Sequence, residues 1–384
     1  MIRIGIERFL ADDLGRFKGA KVGLLSHHPA VNDQFVTTID LVALHPDLQL
    51  QALFTPEHGL FGVAQAGEQI GDELHPRYQV PIYSLYGTRK KPTATMLAGL
   101  DVLLIDFQDV GARFYTYISA LGYMLEAAAE AGLPVVVLDR PNPIGGQIVE
   151  GPLLQPNFIS YVGRYQIPLR FGLTIGELAL WIAKQEQLAV NLTIVPMTGW
   201  KRSMWFDQTG RDWVPPSPNM PALTTAIVYP GMTFFEGTNV SEGRGTTRPF
   251  EFFGAPWIEP SELIARFQER GIPGVQLRET CFIPTFSKYK DEICRGAHVH
   301  VTDREQFRPV RMAMHLLEVI KELYPDYLKW TDPVKGRHFI DLLAGTDQLR
   351  LALDSGQDLT SLYEKWETET EAFRSSLATN FLYS

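Results

Sequence analysis

Five short apolar runs, each followed by a polar stretch, dominate the first 140 residues. They are KVGLLS (Lys21–Ser26), LQALFT (Leu50–Thr55), VPIYSLY (Val80–Tyr86), DVLLIDF (Asp101–Phe107) and PVVVLD (Pro134–Asp139). Runs this short and continuous fit strands buried on both faces, as in a parallel sheet covered by helices. Between the last two lies TYISALGYMLEAAAEAG, where Leu121, Leu125 and Ala128 recur at helical spacing and Gly132 marks a stop. Strand, helix and strand with short connections read as right-handed βαβ units. The expectation is a doubly wound, mostly parallel α/β sheet.

The same alternation continues with a helix over Thr174–Glu186 and two further strand-like runs, NLTIVP (Asn191–Pro196) and TAIVYP (Thr225–Pro230). From about Gly254 the texture changes. Helical patterns at Pro260–Gly271, Pro309–Pro325 and in LTSLYEKWETETEAFRSSL flank a strand-like stretch carrying Cys281 and Cys294. This predicts a smaller α+β domain, with the division placed at residues 1–250 and 251–384 and no linker between them.

Charge and cysteine content narrow the function. Thirty-five Lys and Arg against 44 Asp and Glu give a net charge of −9, which opposes nonspecific binding to nucleic acid or to an anionic membrane. Two cysteines form no disulfide framework or zinc motif, and two reduced thiols are expected. The N-terminal MIRIGIERFL lacks the apolar core of a secretory signal, so a cytoplasmic location is the expectation. No apolar stretch is long enough to cross a bilayer.

Ligands of open parallel sheets bind at the carboxyl ends of strands, and here those ends are polar. SHHPAVN follows the first strand, TPEHGLFG the second, DFQDVGARFYTY the fourth and LDRPNPIGG the fifth; YPGMTFFEGTNVSEGRGTTRPFE follows the last. No GxGxxG follows a strand, and GxxxxGK[ST], GxSxG and HExxH are all missing. Nicotinamide, P-loop, α/β-hydrolase and zincin chemistries are thereby set aside, and no cofactor is expected.

Carboxylate chemistry remains. Glycoside hydrolysis uses an acid for the leaving oxygen and commonly a second carboxylate as nucleophile or base. Glu57 is the first candidate: it follows a buried strand, Pro56 stiffens the approach, and Gly59 and Gly62 permit a sharp turn. An apolar sheet edge beside it would suit a general acid. Asp106, Asp109, Asp139, Glu150, Glu236 and Glu242 are candidates for the second group. Arg113, Arg140 and Arg244 suit an anionic substrate group, since guanidinium forks pair with carboxylates. Tyr115, Tyr117, Phe235 and Trp257 could stack on sugar faces, and Asn142 and Asn239 add hydrogen-bonding capacity on the same loops. His27, His28 and His58 could instead join Asp106 and Asp139 at a metal, although they lack a recognised ligand spacing, and no metal is expected.

These blocks, in this order, make the chain resemble the exo-β-N-acetylmuramidase NamZ family, formerly a domain of unknown function. The resemblance rests on KVGLLSHHPAV, LFTPEHGLFG, LLIDFQDVGARFYTYISAL, VLDRPNPIGG, WVPPSPNMP and FFEGTNVSEGRGTTRPFE, and runs from about residue 21 past 340. It implies a Rossmann-like domain, a smaller C-terminal domain and an active site in the cleft between them. It also implies release of N-acetylmuramic acid (MurNAc) from non-reducing ends of peptidoglycan fragments. The glutamate of the family's PEHG block matches Glu57 as a catalytic residue; Asp109, Glu236 and Glu242 stay open as its partner. His28, His58, Asp106, Arg113, Tyr115, Arg140, Asn142, Asn239 and Arg244 are the substrate-binding candidates. One departure is that SHHPA stands where the family often reads TNxTG. The rival readings are a metal-dependent amidohydrolase or deacetylase and a noncatalytic muropeptide-binding protein.

Overall fold

The structure, a computed structural model, describes residues 2–377 and 381–384. Seven strands form the larger sheet: β1 (Ala20–Ser26), β2 (Leu48–Thr55), β3 (Glu73–Leu74), β4 (Pro81–Ser84), β5 (Val102–Asp106), β6 (Val135–Leu138) and β7 (Leu192–Val195). Their spatial order is β3-β4-β2-β1-β5-β6-β7, all parallel except the two-residue edge strand β3. The chain winds outward from β1 through β2 and β4, then returns and winds the other way through β5, β6 and β7. The direction reverses between β1 and β5, where an α/β sheet opens a crevice at its carboxyl edge. Every residue of β5 and β6 is buried, which is why these segments read as unbroken apolar runs.

Helices Tyr117–Ala131 and Ile175–Gln185 form where periodicity placed them. The first ends at Gly132 in a left-handed conformation; the second begins with a capping box of Thr174 and Glu177. The C-terminal part holds β8 (Phe252–Ala255), β9 (Val275–Phe282) and β10 (Cys294–Val301) in an antiparallel sheet ordered β8-β10-β9, packed against helix Pro260–Gln268, on which helix Pro309–Leu323 packs in turn. One apolar core is continuous from Leu25 in β1 to Leu377 at the end of the last helix. Cys281 and Cys294 are free thiols. Among the described residues no helix is long and apolar enough to cross a membrane.

One element differs from expectation. Thr225–Pro230 is not a strand but the middle of a helix, Leu223–Met232, buried from Thr225 to Met232. A helix buried on all sides shows no amphipathic period, and a short apolar run then looks like a buried strand. Its tight seat depends on Gly231, where a Cβ would lie 1.9 Å from the Pro309 carbonyl oxygen. Helix Leu223–Met232 can therefore press directly onto helix Pro309–Leu323 and carry the following loop, with Glu236 and Arg244, to the sheet edge.

Candidate active site

Beyond the carboxyl ends of β2, β4 and β5 opens a cavity of about 1000 Å³. Glu57 and His58 enter it from the turn after β2, Tyr86 from the segment after β4, and Tyr115 and Thr116 from the segment after β5. Glu236 and Arg244 come from the opposite, C-terminal side. The turn that presents Glu57 is tight: His58, Gly59 and Gly62 have φ of 75°, 77° and 68°. Left-handed backbone at a histidine is costly, and such strain persists where surrounding structure enforces it.

Glu57 is 7% exposed and held by polar donors. The Gly67 N–H donates to Oε1 at 2.9 Å and the Thr116 hydroxyl to Oε2 at 2.5 Å. The Tyr86 phenol also lies in this wall; burial first, then the Glu57 carboxylate nearby, hold this phenol above its ordinary value. Burial, reinforced by the Glu57 charge, does the same to Tyr161 on the adjacent wall. The expected apolar setting is thus replaced by converging polar donors that fix the carboxylate's orientation. Thr116→Val removes one charge-assisted bond and is expected to lower kcat by about 10- to 100-fold with little change in folding stability. Steady-state kinetics beside a urea titration checks this.

Glu236 faces the same cavity and accepts from Arg244 Nη2 at 2.8 Å. Burial pushes its carboxyl up from the ordinary glutamate value; Arg244 opposes that rise and Glu242 adds to it. Arg244 Nε also lies 3.3 Å from Glu242, whose other oxygen accepts from Lys288 at 2.9 Å. This alternating chain of charges lies between the main cavity and an adjoining chamber of about 740 Å³ that Gln65, Phe286 and Lys288 help to line.

The other candidates fall into separate groups. Tyr115 lines the cavity, and its buried hydroxyl has no protein partner among the described residues. His58 also lines it, donating from Nδ1 to the Ala64 carbonyl at 2.8 Å. Asp109 is absent from the cavity wall. It is 4% exposed, accepts from the Gly111 N–H at 2.6 Å and leaves Oδ1 without a partner among the described residues.

The two other arginines are occupied within the fold and do not line the cavity, contrary to the substrate contact expected of them. Arg113 donates to the carbonyls of Pro152, Ile167, Leu343 and Ala344, four backbone acceptors from distant segments. Arg140 is paired with the buried Asp106 and donates to the Val31 carbonyl at 2.9 Å. That pairing likewise withdraws Asp106 from substrate contact, because its carboxylate also accepts from Thr38 at 2.5 Å.

Asn142 donates to the Leu173 carbonyl at 2.9 Å, and Asn239 joins its loop to Tyr327 and Lys329; both are braces outside the cavity. His28 donates to the Pro215 carbonyl at 3.0 Å, holding the proline-rich loop whose Ser217 and Asn219 line the cavity. His27 Nε2 accepts from the Gln108 N–H. Among the described residues, no three His, Cys, Asp or Glu side chains converge as ligands for a metal ion. Asp139 binds Thr174, Gly176 and Tyr383, and Glu150 accepts from the Arg311 N–H and Tyr363; both are internal struts. Phe235 packs on Phe253 and Trp257 on Tyr324 and Tyr327.

Sequence reasoning did not single out Gly67, Thr116, Tyr86, Tyr161 or Lys288. Thr116 carried a usable signal, since it lies in the polar segment after the fourth predicted strand, whereas Tyr86 is the last residue of the third predicted strand itself. Lys288 carried none: it sits between β9 and β10 and reaches the site only through the fold.

Asp109 gives a pH test. Burial carries its carboxyl up to about 7, against the opposing Gly111 and Val110 N–H groups. Because this lies above the unfolded value of about 3.9, the folded state holds the proton more tightly. The resulting stability is full below about pH 4 and is lost as pH rises through 7. Asp109→Asn lacks this loss, so its stability relative to wild type is expected to improve by about 4 kcal/mol between pH 4 and 8, measured by urea unfolding at each pH.

Two carboxylates presented to one tyrosine-walled cleft, at the carboxyl edge of an α/β sheet, are the pair of groups that glycoside hydrolysis uses. The chain belongs to the NamZ family. Residues 22–224 match the family described as exo-beta-N-acetylmuramidase NamZ, N-terminal, and residues 227–383 match its C-terminal counterpart. It is 42% identical over 382 residues to the peptidoglycan beta-N-acetylmuramidase NamZ of Bacillus subtilis (strain 168), covering 100% of this chain and 91% of that protein. Crystal structures of two DUF1343 family proteins from Bacteroides fragilis NCTC 9343 are similar along 100% of this chain and 99% of theirs. Their TM-scores are 0.92 and 0.78, at 34% and 27% identity.

Proposed function

We propose that this chain is an exo-acting glycosidase that removes N-acetylmuramic acid from the non-reducing ends of peptidoglycan fragments. The observation that carries the reading is Glu57, the family-block glutamate, held by Thr116 and Gly67 in the wall of the cavity that Glu236 also lines. Family membership and the activity named for the Bacillus subtilis relative support it. Glu57 and Glu236 form the catalytic pair in this reading, with Glu242 supporting Arg244 from behind.

MurNAc differs from N-acetylglucosamine (GlcNAc) by a lactyl carboxylate, so a discriminating site needs a cation with free donors. Arg244 fits that role. It lines both chambers, and its Nη1 has no protein partner among the described residues. Arg113 and Arg140 commit their terminal nitrogens to backbone carbonyls and Asp106. The tyrosines around the cavity offer faces on which a sugar can stack. The proposed setting is cytoplasmic turnover of soluble muropeptides, without nucleic acid or membrane partners, which cell fractionation tests.

Incubation with the β-linked disaccharides MurNAc–GlcNAc and GlcNAc–MurNAc, followed by mass spectrometry, tests the activity. Cleavage of the first alone is expected. Cleavage of the second at an equal rate contradicts the assigned specificity.

A further inference from the structure

The charge chain behind the cavity has a property that a simple binding residue would not need. Two carboxylates, Glu236 and Glu242, share one guanidinium, that of Arg244. Glu242 has a second cation: Lys288 donates to it at 2.9 Å and to the Phe235 and Val240 carbonyls at 2.7 and 3.0 Å. All three ammonium protons are thereby used, so Lys288 cannot move to Glu236. Arg244 is the one side chain that hydrogen-bonds Glu236 among the described residues, Lys288 adding only a longer-range attraction, and Glu236 Oε2 has no protein partner among those residues. The other ionisable groups facing it are Tyr229, whose phenol is held up by burial and by the Glu236 charge, and Glu57, which lines the same cavity.

A third carboxylate arriving at Arg244 leaves three anions on two cations. One anion must then lose its partner or take up a proton, because like charges in a partly desolvated site cannot all remain ionised. Glu242, anchored by Lys288, stays ionised. We propose that the carboxylate of an anionic sugar displaces Glu236 from Arg244, so that Glu236 becomes protonated and serves as the general acid while Glu57 faces the anomeric carbon. The substrate's own anionic group thus arms the acid that cleaves it. This rests on the glycosidase reading and refines it, moving the acid role from Glu57 to Glu236.

The step balances. The anomeric C–O bond breaks with its electron pair going to the leaving oxygen, which takes the Glu236 proton. Glu57 takes a proton from water, whose hydroxyl bonds to the anomeric carbon; that proton passes to solvent, which supplied the one on Glu236, and ionised Glu236 pairs with Arg244 again when the product leaves. General-acid assistance contributes about 10²–10⁴-fold, and it matters most for a poor leaving group.

The test uses wild-type protein and four substrates, so it does not depend on a variant folding. β-MurNAc–GlcNAc and β-MurNAc p-nitrophenyl glycoside are each compared with the form whose lactyl carboxylate is an N-methylamide. On the disaccharide the amide is expected to lower kcat by about 100-fold or more. On the p-nitrophenyl pair, whose phenolate leaves without protonation, kcat is expected to change less than about fivefold. The kcat–pH profile of the amide disaccharide should also move toward acid, where Glu236 protonates unaided. Glu236→Gln, with its fold checked by circular dichroism, should lose activity on the disaccharide far more than on the aryl glycoside. Equal kcat for acid and amide on both leaving groups, with only KM changed, overturns the coupling. So does an equal kcat loss on both leaving groups. No hydrolysis of the acid-form disaccharide overturns the glycosidase reading itself, an outcome distinct from either.

Discussion

Glutamine at position 57 is expected to lower kcat on MurNAc–GlcNAc by at least about 10³-fold while leaving the urea midpoint near that of wild type. The substitution keeps the side chain's shape but removes the charge that the Thr116 and Gly67 donors converge on. Whether Glu57 attacks the anomeric carbon or activates water, an amide can do neither. Retention of more than about a tenth of wild-type kcat would show that Glu57 is an orienting group. The stability measurement separates this from collapse of the strained turn, because His58, Gly59 and Gly62 are untouched.

Arg113 is the second position where a large effect is expected, of the opposite kind. Its guanidinium is 2% exposed and faces no carboxylate; burial brings it down to about 9. Its donors go to backbone carbonyls at Pro152, Ile167, Leu343 and Ala344, so it ties the segment after β5 to the C-terminal helices. Arg113→Met retains most of the volume but leaves those carbonyls without their donor. Each buried unsatisfied acceptor costs about 1–3 kcal/mol, with partial relief from water and relaxation. A loss of about 3–5 kcal/mol is expected in urea unfolding. Wild-type stability with lost activity would instead mean that Arg113 meets the substrate.

The contrast between these two residues shows what a linear sequence reveals. Glu57 was legible because a buried strand ends just before it, and strand ends are where an α/β sheet exposes chemistry. Strands β1, β2, β5 and β6 were legible for a related reason: burial on both faces leaves continuous apolar runs. Helix Leu223–Met232 was not, because burial on all sides erased its period. Arg113, Arg140 and Arg244 look alike in sequence, each an arginine beside a strand end. What separates them is how many donors the fold consumes, and the acceptors lie up to 231 positions away. Lys288 likewise becomes part of the site only because the segment between β9 and β10 folds back onto Glu242. Local pattern locates the cleft; long-range hydrogen bonding decides which of its charged residues remain free.

Net charge follows the same logic. A chain at −9 that receives an anionic sugar gains nothing from its overall field. The cavity answers locally, by holding Arg244 between Glu236 and Glu242 with one nitrogen left for the ligand. That local arrangement also separates a catalyst from a passive binder, since a binder needs the cation but not Glu57 braced in the same wall.

A soluble glycan of alternating MurNAc and GlcNAc, capped by MurNAc at its non-reducing end, offers the most direct test. Time-resolved mass spectrometry should show each chain losing one terminal MurNAc and then stopping, because the newly exposed terminus is GlcNAc. Release of internal disaccharides, continued shortening past that GlcNAc, or saturable binding without any free MurNAc would contradict the account.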